Sequence, residues 1–313
     1  MNKPSTLLSN PLVAVPLAIL CTTLWGSAFV AVKSGYELFG VGADDTAAKV
    51  MFAGMRFTLA GLLVLLLNLF IGGGKTQKIS SLTKRMWAQI ALLGVSQTTI
   101  HYYFFYVGVS YTTAAKSSIL NSVSVFFSAV LAHLFYSDDK LTLKKGAGVL
   151  IGFAAVVLVN FEPKIGLQMA LRGEGFIVIS SLVNSVALLY SKRISSWITP
   201  VILTGFQLTI GGVVLLVSAV VMGAPILGST VGGWVLLLYL ALISSVAFTI
   251  WAALLKHNKM SSITVFNFLI PVVGTLLSTV VLKEKIFQFS LLIALAAVAI
   301  GIALVQSPTK NRL

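Results

Sequence analysis

Ten runs of apolar residues, separated by short polar connections, are the feature of this sequence that most restricts its fold. A bilayer core about 30 Å thick is crossed by roughly 20 apolar helical residues, and most of the runs are close to that length. Backbone polar groups in lipid must be hydrogen-bonded within the protein, and runs without polar alternation predict helices rather than a β-barrel. The predicted membrane spans are 12–32, 50–71, 86–107, 114–136, 146–159, 175–190, 201–222, 234–255, 263–282 and 289–305.

The composition also indicates a membrane protein. Apolar residues make up 58% of the chain and charged residues 10%, with a mean hydropathy of +0.99, whereas a soluble domain is about 25% charged. We therefore predict an all-α integral membrane protein surrounded by membrane lipids, and exclude a cytosolic enzyme, a nucleic-acid-binding module and a disordered scaffold. The net charge of +14 does not favour nucleic acid, because the basic residues lie between the apolar runs, where they set topology and contact anionic lipids.

Lys and Arg are unevenly divided between alternate connections. The connections on the side of the chain termini carry fourteen of them, and the opposite connections carry six. Because cytoplasmic loops are enriched in Lys and Arg, both termini are predicted to be cytoplasmic, in a bacterial cytoplasmic (inner) membrane. The acidic cluster of Glu37, Asp44 and Asp45 is then on the outside.

An internal repeat divides the chain into two halves. A shift of 145 residues aligns segment 117–160 with segment 262–305, and places Asp139-Lys140-Leu141 on Glu284-Lys285-Ile286. The predicted repeats are 1–160 and 161–313, with five spans each. An odd number of spans inverts the second copy in the membrane, and inverted repeats around a central site are typical of secondary transporters.

Three motifs carry a resemblance to a known family. Segment 22–29 is TTLWGSAF, segment 55–63 is MRFTLAGLL, and segment 268–272 is FLIPV, followed by KEK at 283–285. In order and spacing the chain resembles the EamA-type ten-helix branch of the drug/metabolite transporter superfamily, over essentially its whole length. The resemblance implies a 5+5 inverted-topology repeat around a central cavity, and export of small metabolites or drugs.

Basic and titratable side chains lie in the outer half of the predicted spans: Lys33, Arg56, His101 and Lys116. Charged side chains inside a membrane are costly and are by default functional, so these residues predict a basic vestibule that attracts an anionic group of the substrate. In the alternative, Arg56 and Lys33 pair with the outer acidic cluster or extend to lipid headgroups.

Asp and Glu do not occur in the middle of any predicted span. A buried carboxylate can hold either a proton or a cation, so its absence argues against a multidrug-cation exporter. His101 is the near-central side chain that titrates near neutral pH, and it either shuttles protons or hydrogen-bonds between helices. We expect transport that needs no obligatory proton exchange, or exchange that runs through His101.

The third predicted span is rich in polar and aromatic residues. Gln97 and His101 are four residues apart and share one helix face. Tyr103 lies either in the cavity or in the interfacial aromatic belt, and the belt position fits Tyr106 and Tyr111.

Tryptophans and amides complete the predicted site. Trp25 and Trp251 are interpreted as two rings that face each other across the pocket. Amides in the spans either hydrogen-bond between helices or line a polar pocket, and the family resemblance implies pocket lining for Asn184 and Asn267. The predicted substrate-binding residues are Trp25, Arg56, Gln97, His101, Tyr103, Asn121, Asn184, Trp251 and Asn267.

The sequence favours a secondary transporter that exports a small organic metabolite, amino-acid-like or an organic acid, by alternating access. The alternatives are a multidrug or cation exporter of the same fold and a non-transporting accessory subunit of a membrane complex. An enzyme is not predicted, because the sequence has no catalytic constellation, metal motif or nucleotide-binding loop. No cofactor and no nucleic-acid partner are predicted, and the sequence pattern leaves the oligomeric state open.

Reporter fusions at Gly74 and at Asp45 test the predicted topology. We expect the fusion at Gly74 to report the cytoplasm and the fusion at Asp45 the opposite side, because the intervening span crosses the membrane once. A pair of reporters whose activity depends on the compartment measures this. Reports from the same side would contradict the ten-span topology.

Overall fold

The structure is a computed structural model that describes residues 7–42, 44–71, 77–112, 114–159, 170–281 and 288–307. Across these ranges the chain is helical and contains no strand. The α-helices are α1 (Pro11–Leu38), α2 (Thr46–Ile71), α3 (Lys84–Leu93), α4 (His101–Ser110), α5 (Ala114–Ser122), α6 (Ser124–Phe135), α7 (Leu143–Val159), α8 (Phe176–Ile194), α9 (Pro200–Val221), α10 (Val231–His257), α11 (Met260–Thr264), α12 (Leu269–Val281) and α13 (Gln288–Gln306).

Seven helical segments in the described ranges are long and apolar enough to cross a membrane. They carry few charges and present large apolar side chains on their outer surfaces. The predicted all-helical, membrane-embedded class is therefore confirmed. The segments are Pro11–Leu38, Thr46–Leu69, Ser117–Phe135, Leu171–Ile194, Pro200–Val221, Val231–His257 and Met260–Leu277.

Three helical stretches in the described ranges contain a local change of helix type, and one of them is the π-helical turn Leu171–Gly175 that precedes α8. A π-helical segment, Gly94–Ile100, joins α3 to α4, and a 3₁₀ segment, Val265–Phe268, joins α11 to α12. The 3₁₀ segment is explained by Pro271, which has no N–H to donate to the carbonyl of Asn267 four residues earlier. The proline ring also crowds that carbonyl. Such changes of helix type often occur at functional sites.

Buried apolar side chains form two large clusters that share α1 and α10. The first joins these helices to α6, α7, α12 and α13. The second joins them to α2 and α9. The rings of Trp25 and Phe248, which belong to the first and second cluster respectively, are 5.3 Å apart. The two buried apolar clusters therefore meet at α1 and α10.

Glycines allow α2 and α9 to pack backbone against backbone. A Cβ atom added to Gly61 would lie 2.6 Å from the carbonyl oxygen of Gly205, and one added to Gly54 would lie 2.8 Å from the amide nitrogen of Leu216. Close approach through small residues is how helices associate in lipid, where apolar side chains gain little by leaving the solvent. By contrast, nothing lies within 4 Å of a Cβ added to Gly146 in α7.

Both ends of the described chain form hydrogen bonds with the segment that connects α10 to α11 and begins α11. The side-chain amide of Asn258 donates to the carbonyl oxygen of Leu8 at 2.9 Å, and that of Gln306 donates to the carbonyl oxygen of Ser262 at 3.3 Å. The two termini therefore lie at one end of the helix assembly. We call this end the terminal face.

Gly61→Ala tests the packing of α2 against α9. We expect a loss of about 1–3 kcal/mol in the free energy of unfolding, because the added methyl group forces the two backbones apart. Thermal unfolding in detergent can be followed through the thiol of Cys21, which is buried in the folded protein. Gly146→Ala is the matched control and should not destabilise the protein. Equal melting temperatures for the two variants would contradict the role of Gly61.

Candidate functional site

Arg56 is a buried cation on α2, with only 4% of its surface exposed. Its Nε donates to the Ser244 hydroxyl oxygen on α10 at 3.0 Å, its guanidinium carbon is 5.1 Å from the centre of the Phe57 ring, and it interacts with the Tyr106 hydroxyl. No ion pair joins Arg56 to a carboxylate in the part of the chain that the structure describes. Arg56 therefore does not pair with the acidic cluster in the described residues, and Asp45 accepts from the backbone N–H of Ala48.

One face of α10 connects Arg56 to the two predicted tryptophans. Ser244, Phe248 and Trp251 follow each other at intervals of four and three residues, which places them in one stripe along the helix. Trp25 of α1 packs edge-on against Phe248 at 5.3 Å and against Trp251 at 5.0 Å between ring centres. We call Trp25, Arg56, Ser244, Phe248 and Trp251 the Arg–Trp cluster.

The Arg–Trp cluster lies at the junction of the two apolar cores. The rings of Trp25 and Trp251, predicted to face each other across a pocket, are in direct contact in this conformation. Ser244 and Phe248 were not predicted from the sequence, although their helical spacing from Trp251 is the pattern by which they can be found.

Tyr106 corrects an expectation. The sequence fits it to the interfacial belt, but it is 6% exposed and belongs to the buried core beside Arg56. Tyr111 is 56% exposed, as a belt residue is. Tyr102, not singled out from the sequence, stacks on Phe57 with ring centres 4.3 Å apart. Tyr103 is half-buried and packs against the same core.

Gln97 and His101 are engaged in hydrogen bonds between helices. The side-chain amide of Gln207 on α9 donates to the Gln97 side-chain oxygen at 2.8 Å. His101 Nδ1 lies 3.1 Å from the backbone carbonyl oxygen of Ser180 on α8. The Ser180 hydroxyl in turn donates to the backbone carbonyl oxygen of His101 at 3.0 Å. A His101 ring with its proton on Nδ1 satisfies both bonds. This is the geometry of an interhelical hydrogen-bond partner, one of the two roles considered from the sequence.

The three predicted asparagines lie on different elements. Asn121 on α5 and Asn184 on α8 are half-buried, as is Asn267 in the 3₁₀ segment. No hydrogen bond joins the side chains of these asparagines to the Arg–Trp cluster in the described ranges. The side-chain oxygen of Asn267 and Nε1 of Trp25 are buried and have no hydrogen-bond partner among the described residues. They are two of nine buried side-chain atoms in the described residues that have no partner, so the missing partner does not by itself identify a ligand site.

Glu174 is a buried carboxylate that the sequence reasoning did not consider. It is 4% exposed and lies in the π-helical turn Leu171–Gly175 before α8. Its oxygens accept from the Thr112 hydroxyl and from the Ala170 N–H, both at 2.8 Å. An acidic residue directly before an apolar run is the signal that could have identified it.

Of the predicted outer cations, Lys33 is exposed, and the side chain of Lys116 lies outside the described part of the structure.

Comparison with known proteins decides the family. The sequence matches the model of the EamA-like transporter family over residues 12–161 and 171–307. The chain belongs to this family.

Similar proteins agree with this assignment. The uncharacterized transporter YvbV of Bacillus subtilis (strain 168) is 25% identical, over 83% of this chain and 83% of its own length. The uncharacterized transporter YetK of the same strain is 28% identical, over 84% of this chain and 82% of its own length. A WAT1-related chloroplastic protein of Arabidopsis thaliana is 23% identical over 92% of this chain and 68% of its own length. A crystal structure of a protein with 17% identity shares the fold, with a TM-score of 0.77 over 93% of this chain and 95% of that one. This EamA-like protein is thus a membrane transporter rather than an enzyme.

Substitutions at His101 test its hydrogen bonds to α8. His101→Leu removes the Nδ1 partner of the Ser180 carbonyl but keeps the backbone carbonyl that accepts from the Ser180 hydroxyl, and we expect it to lower the free energy of unfolding by about 1–2 kcal/mol. His101→Asn keeps an N–H donor near the Nδ1 position and should retain most of the stability. Denaturant unfolding in detergent, followed by tryptophan fluorescence, measures both. An equal loss in the two variants would contradict the assigned role.

Proposed function

We propose that this EamA-like transporter exports a small organic metabolite with a carboxylate group, amino-acid-like or an organic acid, from the bacterial cytoplasm. It works as a secondary transporter by alternating access, with ten spans in a 5+5 inverted repeat and both termini cytoplasmic. The two chain ends at the terminal face and the excess of Lys and Arg on that side support this topology. The observation that carries the substrate class is the environment of Arg56.

A buried guanidinium with neutral partners is suited to a carboxylate ligand. Arg56 contacts Ser244, Tyr106 and the Phe57 ring, and these groups do not neutralise its charge. Burial of an unpaired charge is costly, so an anionic group that enters the site gains a desolvated, charge-assisted partner with a planar fork of donors. A compact permanent cation would instead be repelled.

The rest of the Arg–Trp cluster suits the body of such a substrate. Trp25, Phe248 and Trp251 provide ring surfaces for an apolar or aromatic group. The unpartnered N–H of Trp25 can donate to a substrate oxygen, and outside the cluster the unpartnered side-chain oxygen of Asn267 can accept from a substrate ammonium. An amino acid or a similar zwitterion offers both groups, which is why we place it first among the candidate substrates.

The alternative of a cation exporter requires a carboxylate that is free to bind the cation. Two described carboxylates are strongly buried, Asp139 and Glu174. Both already accept hydrogen bonds from neighbouring segments, so they do not favour this alternative. An accessory subunit without transport activity would not need the buried Arg–Trp cluster.

Transport by the purified protein in liposomes tests the proposal. We expect uptake of amino acids or organic acids, with and without a pH gradient, and little competition from quaternary cations. Arg56→Gln should reduce transport of carboxylate substrates by roughly ten- to a hundredfold, the effect of losing a charge-assisted hydrogen bond. Tyr103→Ala should weaken transport more than Tyr111→Ala, which changes an exposed residue.

The control for Arg56→Gln is its folding, measured by elution as a single species in detergent. If cations are the better substrates, and Arg56→Gln transports as well as the parent, Arg56 has only a structural role and the proposed substrate class is wrong.

A further inference from the structure

A buried carboxylate joins two distant segments at the terminal face. Asp139 lies in the connection between α6 and α7 and is 2% exposed. It accepts a hydrogen bond from the backbone N–H of Ser261 at 2.9 Å, a second from the Ser261 hydroxyl, and a third from the ammonium group of Lys145. Ser261 belongs to the first turn of α11. One side chain thereby holds the start of α11 against the connection that precedes α7.

A second group of polar contacts lies beside the first. The Lys192 ammonium at the end of α8 donates to the carbonyl oxygens of Leu255, at 2.6 Å, and Asn258. It also lies 5.4 Å from the centre of the Tyr136 ring, and the Tyr136 hydroxyl donates to the Leu189 carbonyl at 3.4 Å. The ends of α6, α8 and α10 are therefore tied together next to Asp139.

These contacts cross the boundary between the two halves of the chain. Asp139, Lys145 and Tyr136 belong to the first half, and Ser261 and Lys192 belong to the second. The bonds are also charge-assisted, which makes them directional. Burial alone raises the pKa of Asp139, but the hydrogen bonds from Lys145 and Ser261 outweigh it and hold this pKa below its usual value, so the carboxylate is ionised at neutral pH.

We propose that Asp139, Lys145 and Ser261 form a latch that keeps the transporter closed at the terminal face, and that opening toward this face requires its release. This inference rests on the alternating-access transport proposed above. When the latch parts, water enters and solvates the carboxylate, the ammonium and the freed N–H. Because water replaces the lost hydrogen bonds, the net cost of release is small compared with that of separating a dry apolar contact.

The opposite face is closed by different chemistry. There the Phe39 ring, after α1, meets the Trp234 ring of α10 with centres 5.2 Å apart, and the Ser229 hydroxyl donates to the Leu38 carbonyl oxygen at 2.8 Å. The Thr112 hydroxyl also donates to the buried carboxylate of Glu174 on this side, so the closure combines aromatic contacts with hydrogen bonds, none of which involves Asp139. A change at Asp139 should therefore act on the terminal face alone.

Thiol labelling in lipid nanodiscs tests the latch without any substrate. In a Cys21→Ser background, Thr264→Cys places a reporter in α11, one turn from Ser261 and fully buried. Ala48→Cys, in a second protein, is a buried reporter near the start of α2. The rate of reaction with a polar maleimide measures how often each position opens to water.

Asp139→Asn should increase the labelling rate at Thr264→Cys by about tenfold, the effect of replacing a charged acceptor by a neutral one. The rate at Ala48→Cys should not rise. Asp138→Asn removes the same charge from an exposed neighbour and should leave both rates at their parent values. An unchanged rate at Thr264→Cys would overturn the proposal, as would an equal increase at both reporters, because the latter indicates general loosening.

Ser261→Ala keeps the test decisive if Asp139→Asn does not fold. It removes one of the three donors and leaves the ion pair, so the rate at Thr264→Cys should rise about threefold, and no rise would overturn the latch. Because labelling needs no transported molecule, its outcome is independent of the substrate assay. A latch that is confirmed in a protein that transports no carboxylate would show that the proposed substrate class alone has failed.

Discussion

Lipid offers no hydrogen bonds, so each polar group that the helices bring into the interior must find its partner within the protein. Several pairs meet this requirement between helices that are distant in sequence, including Gln97 with Gln207 and His101 with Ser180. Arg56 meets this requirement only in part, because its partners accept hydrogen bonds from the guanidinium but do not neutralise its positive charge. That difference distinguishes side chains that hold the helices in register from Arg56, for which we propose a role in substrate binding.

The helices themselves could be predicted because the membrane sets their length. Helix α9, Pro200–Val221, differs by one residue at each end from the predicted span, and Pro200 explains where it begins. The π-helical segment Gly94–Ile100 was not predictable, because a change in backbone hydrogen bonding leaves the apolar pattern of the span intact. The 3₁₀ segment before Pro271 could have been predicted, because a proline inside a span removes a backbone hydrogen bond of the helix.

The site was less predictable than the helices, since a span that is apolar on all sides does not reveal which face turns inward. Trp25 and Trp251 were interpreted as two rings that face each other, and in the structure their ring centres are 5.0 Å apart. Tyr106 was misplaced because an aromatic residue near the end of a span fits the interface and the interior equally well. Ser244 is the partner of Arg56 from 188 positions away, a distance that local patterns do not cover.

The two ends of the helix assembly differ in the contacts that close them. The inverted repeat that we propose would make the two halves similar, but the contacts at the two ends are not the same. At the terminal face the closure is a carboxylate with three donors, which water can replace. At the other face the closure includes the hydrogen bond from Thr112 to Glu174 and the Phe39–Trp234 contact, whose separation would expose apolar surface to water. Under the proposed latch, the cost of opening the terminal face depends on Asp139, Lys145 and Ser261, which lie apart from the Arg–Trp cluster.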